Sequence, residues 1–395
     1  MRKALVPLLA LALILPTAAS AATPAQAPKA SNFAMATVAG GLHFSWTKAP
    51  QHQVTYTVSS TPPGLSCHVV DKPECTISVL SPGSWSFQLQ ASSTRGASSS
   101  PATKVVTTRP LVILAGQSNA LGATSYATDP VTKINYFAAP YASPADTQDQ
   151  ISWTTRSLLP PRDSAGRVIA AAVPLATTQL SSPHLSDRLS GIAPLFGPEI
   201  GFARELWSKH PTPVTFVKAV QIGTSLAAVS SRDDWDPRSG ALYADMLRKI
   251  TQIESSDAKL GILDVPAAFI WFQGETDALD PAMSAAYQAN LARLITSLRT
   301  ALTSAQLPVA LIKPSLAAQA AFLHPGCAAC FTDGQVRAAD DWAASNISRV
   351  AAVDSLGANR TKASDYLHLS NVGELSVGKA AADAVEPLMT WLPQS

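Results

Sequence analysis

A serine with a histidine base and a carboxylate behind it can cleave an ester without a metal. This chain carries all three groups, in separated segments. Residues 111–119 read Leu-Val-Ile-Leu-Ala-Gly-Gln-Ser-Asn. Four apolar residues in a row predict a fully buried strand. Ser118 stands just past its end, where open α/β sheets bind their ligands. Read alone, Ser118 serves equally as the cap of the next helix. A hydroxyl becomes a nucleophile only when a base takes its proton. Near the C-terminus, Asp365-Tyr366-Leu367-His368 offers that base, since imidazole titrates near neutral pH. Asp365, three residues earlier, is close enough within one turn to accept the other ring N–H.

Two further segments supply donors for a developing oxyanion. Gln221-Ile222-Gly223-Thr224-Ser225 follows an apolar run at Val214–Val220, and Gln273-Gly274-Glu275-Thr276-Asp277 follows another at Ala267–Phe272. The backbone N–H groups of Ser118 and Gly223 suit the role, because glycine lets the chain approach closely. The Gln273 side-chain amide is a third donor. In a parallel sheet the carboxyl ends of the strands lie along one edge, so these segments converge in space.

The elements that must position them read as follows. Strands are predicted at Leu111–Ala115, Val214–Val220, Ala267–Phe272, Val309–Ile312 and Val350–Val353. Helices are predicted at Pro198–Trp207, Ala241–Glu254, Ala282–Ala301, Gln335–Ala344 and Val372–Met389. This alternation implies an α/β domain whose parallel sheet is covered on both faces. Residues 122–195 are irregular and rich in Pro, Ser and Ala, the kind of long loop that is functional or inserted. Residues 32–108 differ, with short alternating runs at Leu42–Trp46, Val54–Val58, Cys75–Val79 and Trp85–Leu89 that predict a small all-β sandwich. Residues 22–31 read as a linker. Ahead of them, Arg2 and Lys3, the apolar run Ala4–Leu15 and Ala19-Ser20-Ala21 read as a signal peptide cut after Ala21. The expected location is therefore secreted or periplasmic. The divisions are 1–21, 22–31, 32–108 and 109–395.

Four blocks in this order resemble the SGNH hydrolase superfamily, and more narrowly the sialate O-acetylesterase and family 6 carbohydrate esterase (acetylxylan esterase) group. They are Gly116-Gln117-Ser118-Asn119, Gly223-Thr224-Ser225, Trp271-Phe272-Gln273-Gly274-Glu275-Thr276-Asp277 and Asp365-Tyr366-Leu367-His368, with Phe196-Gly197-Pro198-Glu199 as a further matching stretch. The resemblance covers about residues 109–388. It implies a three-layer αβα, flavodoxin-like fold and a serine esterase that removes O-acetyl groups from carbohydrates. Ser118 would be the nucleophile, His368 the base, and Ser118, Gly223 and Gln273 the oxyanion hole. The acid orienting His368 is Asp365 or Glu275, and spacing favours Asp365. Ile222 stands where the group often has glycine. Residues 32–108 resemble a fibronectin type III domain through Trp46, Tyr56-Thr57-Val58 and Leu80-Ser81-Pro82-Gly83-Ser84-Trp85, with Trp85 where that family usually has tyrosine. Trp46 and Trp85 fall at core positions, and an indole buries while donating one hydrogen bond.

The remaining composition narrows the partners. The formal charge of +2 falls to near zero once Arg2 and Lys3 are cut away, which argues against nucleic acid. No segment after the leader is long and apolar enough to span a membrane. Four cysteines in an exported chain favour local disulfides, Cys67–Cys75 and Cys327–Cys330. No cofactor or metal is implied. Asp233, Asp234 and Asp236 read as a charged surface turn, and His184 and His324 as solvated loop residues. Asn346-Ile347-Ser348 is a glycosylation sequon inside a predicted helix. The competing readings are a non-catalytic carbohydrate-binding protein, with the β-domain contacting polysaccharide, and an esterase for lipids or small esters.

Overall fold

The computed structural model describes residues 27–38, 41–78, 83–101, 103, 105–126, 128–129, 131–154, 173–174, 195–230, 233–315, 333–358, 360–362 and 365–389. The expected leader, Cys327, Cys330, His184 and His324 lie outside the described residues.

The N-terminal part folds as two antiparallel sheets. Ser31–Val38 (β1), Gly41–Thr47 (β2) and Glu74–Ile77 (β5) form one; Thr55–Thr61 (β3), Ser66–Val70 (β4), Gly83–Ser93 (β6) and Gly96–Ser99 (β7) form the other. Period-two alternation buries Leu42, Phe44 and Trp46 on β2 and Trp85, Phe87 and Leu89 on β6 in a common core. Trp46 packs on Tyr56 with ring centroids 5.3 Å apart, and the Tyr56 hydroxyl accepts the Ala49 N–H at 2.8 Å. A disulfide joins Cys67 on β4 to Cys75 on β5, linking the sheets.

The next strand, Val106–Gly116 (β8), is more than twice as long as predicted because its first residues have partners of their own. Val106–Thr108 pair antiparallel with Gly83–Trp85, and the Trp85 indole N–H donates to Thr108 Oγ1 at 3.0 Å. The same strand then becomes the centre of a parallel sheet with Gln150–Thr154 (β9), Val173–Pro174 (β10), Thr215–Val220 (β11), Ile262–Phe272 (β12), Val309–Lys313 (β13) and Val350–Asp354 (β14). Their order is β10-β9-β11-β8-β12-β13-β14, parallel throughout except where β10 meets β9. β9 and β10 fall inside the stretch expected to be irregular. β12 also runs longer than predicted, and its Leu263 and Val265 pack on the N-terminal core.

Alternate residues of β8 serve opposite faces. Val112 and Leu114 pack with Glu199–Lys209 (α3) and Asn371–Val385 (α7). Leu111, Ile113 and Ala115 pack with Ala241–Lys259 (α4), Pro281–Ala301 (α5) and Asp333–Asn346 (α6). The two short helices are Ser118–Leu121 (α1) and Ala145–Gln148 (α2). Asp280 caps α5 ahead of Pro281, and Ser370 caps α7 through the Gly373 N–H, the side-chain acceptors that exposed helix N–H groups need. The chain crosses from the β11 side of β8 to the β12 side, which places the topological switch point at the carboxyl end of β8.

At the opposite, amino-terminal edge, Asp149, Asp257 and Asp264 are buried around one guanidinium. Asp264 lies in register beside Arg109, and Arg109 Nη1 is 4.0 Å from Asp257 Oδ2. Asp149 Oδ1 accepts the Val214 N–H at 2.9 Å. Burial pushes the Asp149 carboxyl up to about 8, and burial together with the neighbouring Asp257 charge raises Asp264.

Candidate active site

Gly116 ends β8 with a φ of 149°, and a Cβ there would sit 2.0 Å from the Phe272 carbonyl oxygen. Only glycine allows β8 and β12 to close at this point. The chain then turns into α1, a single turn that starts at Ser118 and buries all four of its residues. The first N–H groups of such a turn have no partner within it.

Asn119, next to Ser118, ties the first block to the fourth. Its Nδ2 donates to Glu275 Oε1 at 2.8 Å and to the Leu367 carbonyl at 3.3 Å, while its Oδ1 accepts the Leu369 N–H at 3.2 Å. Leu367 and Leu369 flank His368. The Leu369 carbonyl accepts from Thr124 Oγ1 at 2.9 Å and Ser125 Oγ at 3.2 Å. Asn371 Oδ1 accepts the Tyr126 N–H at 2.9 Å, and its Nδ2 donates to the Tyr126 carbonyl. The loop after α1 thus docks along residues 367–371 through side chains, and His368 is partly buried beside it.

The backbone leading to His368 differs from expectation. Asp365–Leu369 is a strand (β16) paired antiparallel with Arg360–Lys362 (β15), with Lys362 opposite Asp365. The single turn predicted for the Asp365–His368 step is an extended segment instead, because the partner strand and the Asn119 amide pair with its backbone.

The second and third blocks are bracketed by Gln273 and Asp277. Gln273 Nε2 donates to Asp277 Oδ2 at 2.6 Å, to the Thr224 carbonyl at 2.8 Å and to Gln117 Oε1 at 3.3 Å. The Tyr287 hydroxyl donates to the Gln273 carbonyl at 2.9 Å. Asp277 accepts the Leu226 N–H at 2.8 Å and the Ala227 N–H at 3.0 Å. Burial raises its carboxyl, while Gln273 and those two N–H groups pull it down. Gly223 has a φ of 67° and is exposed, as is Ile222 before it. The turn therefore forms with isoleucine at position 222.

Behind α1, Lys218 Nζ donates to Glu199 Oε1 at 2.8 Å and to the Leu121 carbonyl at 3.0 Å, with all three residues buried. Glu374 is buried nearby, and its carboxyl is raised well above normal by burial and then by the Glu199 charge.

Asp234 and Asp236 depart from the expected surface turn. Both are buried. Asp234 accepts the Val229 and Asp236 N–H groups at 2.9 and 3.0 Å, and Asp236 pairs with Arg238 at 2.5 Å. They organise the loop after the second block, with Trp235 Nε1 donating to Thr224 Oγ1 at 2.9 Å. Among the described residues no group of three His, Cys, Asp or Glu side chains is arranged to hold a metal ion.

The sequence places Asn119 and Asp277 inside motifs but assigns them no role. Their place beside Ser118 and four residues after Gln273 was the available signal. Nothing in the sequence pointed to Asn371, Tyr287 or Lys218.

At the switch point of the parallel sheet, the residue after buried Ser118 is hydrogen-bonded to the backbone on both sides of partly buried His368. Comparison gives the family. A model described as "carbohydrate esterase, sialic acid-specific acetylesterase" matches residues 108–386, and the chain belongs to that family. It is thereby a carboxylic ester hydrolase of the carbohydrate esterase class. A probable carbohydrate esterase of Arabidopsis thaliana is 24% identical over 233 residues, covering 59% of this chain and 80% of the relative. A solved Arabidopsis thaliana structure has a TM-score of 0.47 at 21% identity, covering 71% of this chain and 99% of the other. A carbohydrate acetylesterase from Xanthomonas citri has a TM-score of 0.48 at 15% identity, covering 88% and 71%. No helix among the described residues is long and apolar enough to cross a membrane.

Proposed function

We propose that this carbohydrate esterase is an exported serine enzyme that removes O-acetyl groups from a carbohydrate through an acyl-enzyme. The observation that carries the reading is the Asn119 amide, which holds the backbone on both sides of His368 from the residue next to Ser118. Ser118 Oγ attacks the acetyl carbonyl carbon as His368 takes its proton. The ester carbonyl becomes an oxyanion, met by the Ser118 and Gly223 N–H groups. Gln273 is the third donor by the family pattern. Its amide reaches an oxyanion by releasing one of its present acceptors, of which Gln117 Oε1 is the farthest. The tetrahedral species collapses, the C–O bond to the sugar breaks, and His368 returns the proton to the leaving sugar hydroxyl. Water activated by His368 then attacks the acetyl-serine and frees acetate. The acid that orients the imidazole is Asp365 or Glu275 by the family pattern; the extended Asp365–Leu369 backbone removes the one-turn argument that favoured Asp365.

The αβα layering of SGNH hydrolases is supported by helices packed on both faces of β8. The two-sheet N-terminal part, with Trp85 buried and bonded to Thr108, supports the fibronectin type III reading. Export rests on residues 1–21, and cleavage after Ala21 gives Ala22 as the mature N-terminus.

The test is acetate release from acetylated xylan and from O-acetylated sialic acid, by wild type and Ser118→Ala. Release from at least one glycan, abolished in Ser118→Ala, is expected. Equal release by both proteins would refute the mechanism.

A further inference from the structure

We infer that Asn119 and Glu275 are a positioning pair for His368, with Glu275 acting through Asn119. The inference rests on the site reading above and gives Glu275 a task distinct from that of a triad acid.

The Asn119 side chain behaves toward residues 367–369 as the peptide of a neighbouring parallel strand would. Its oxygen accepts the N–H that follows His368, and its nitrogen donates to the carbonyl that precedes it. A parallel ladder has this slanted pattern, centred on the residue between the two bonds. His368 is that residue.

An asparagine amide can face such a segment in two ways, and only one satisfies both bonds. Glu275 selects it. A carboxylate accepts and does not donate, so the 2.8 Å contact from Asn119 Nδ2 to Glu275 Oε1 requires the nitrogen on that side. Both side chains are buried. Gly274, with a φ of 140°, sets the turn that delivers Glu275, and a Cβ there would meet Val336 Cγ1 at 2.6 Å. The order of action is therefore third block to Glu275, Glu275 to Asn119, and Asn119 to the backbone of His368. Because Asn119 follows Ser118 on α1, nucleophile and base share one short rigid connection.

The experiment uses the full chain with p-nitrophenyl acetate and a fluorophosphonate probe that labels an activated serine. Asn119→Ala is expected to lower kcat on the order of 100-fold, the scale of a 1 Å misplacement, with KM within roughly threefold. Glu275→Ala is expected to do the same. Glu275→Gln is expected to recover most of the loss, since its amide oxygen accepts the same bond without the charge. Labelling of Ser118 should slow in step with kcat, while melting temperatures identify any variant that fails to fold. An Asn119→Ala enzyme with wild-type kcat and labelling overturns the inference alone. So does a Glu275→Gln enzyme as inactive as Glu275→Ala, because the charge would then be what matters. An active wild type whose Ser118 is never labelled overturns the site reading, and the inference with it.

Discussion

The two edges of the central sheet bury acids among different numbers of hydrogen-bond donors. At the carboxyl edge, Asp277 accepts from two backbone N–H groups and the Gln273 amide, and Glu275 accepts from Asn119. At the amino edge, Asp149, Asp257 and Asp264 crowd around Arg109, and burial raises all three carboxyls. A buried carboxylate is stable only where donors or cations meet it. Where they do, the acid becomes a bracket that holds loops in place. Where burial outweighs them, as at Asp149, the carboxyl is pushed up to about 8 and makes stability depend on pH. Burial raises Asp277 as well, but Gln273 and two backbone N–H groups oppose it there, whereas Asp149 meets a single backbone N–H and rises to about 8.

That contrast is sharpened by making one substitution at both edges. Asp277→Asn puts an amide nitrogen among three donors and should cost about 3 kcal/mol. The thermal melt should drop accordingly and esterase activity should fall, because the second block hangs on Asp277. Asp149→Asn keeps an acceptor for Val214 and removes the titration. Asp149 has a folded value of about 8, above the ordinary 3.8 of the unfolded chain. Between pH 4 and 8 the folded state therefore holds a proton the unfolded state has lost, and wild-type stability falls as pH rises through that window. Asp149→Asn should match wild type near pH 4 and exceed it by several kcal/mol, roughly 5, at pH 8. Urea melts at the two pH values check this. A variant less stable than wild type at pH 8 would erase the distinction between the edges.

A smaller effect tests the join below the amino edge. Trp85→Phe removes the indole bond to Thr108 while keeping most of the ring, and should cost about 1 kcal/mol. Because β8 and β12 run unbroken from the N-terminal core to the carboxyl edge of the sheet, chemical denaturation should remain a single transition reported equally by both parts.

Much of this was legible in the sequence. The five predicted strands and five helices of the α/β part lie inside observed elements or overlap them closely, because their apolar periodicity and helix-start prolines are strong local signals. The missing length of β8 and β12 was not legible. Arg109-Pro110 reads locally as a break, and only the partners β6 and β12 make it strand. β9 was lost in a Pro- and Ser-rich stretch because its identity comes from pairing with β11. In the candidate site, residue types single out Ser118, His368 and Gln273 as the proposed nucleophile, base and oxyanion donor. The roles of Asn119 and Asp277 depend on contacts across 250 and 51 residues of chain, which no local pattern encodes. The acids at Asp234 and Asp236 looked like a solvated turn because charge alone does not reveal which backbone N–H groups will fold around it.

The central claim is that the carboxyl edge forms one site in which Ser118 carries the acyl group. The most direct measurement is intact-mass and peptide-mass analysis of enzyme quenched in acid during turnover of an activated acetyl ester. The account predicts one added acetyl group on the peptide containing Ser118, absent from Ser118→Ala, whose turnover falls on the order of 10⁴-fold or more. Sustained hydrolysis with no acetyl on Ser118, undiminished in Ser118→Ala, would contradict it.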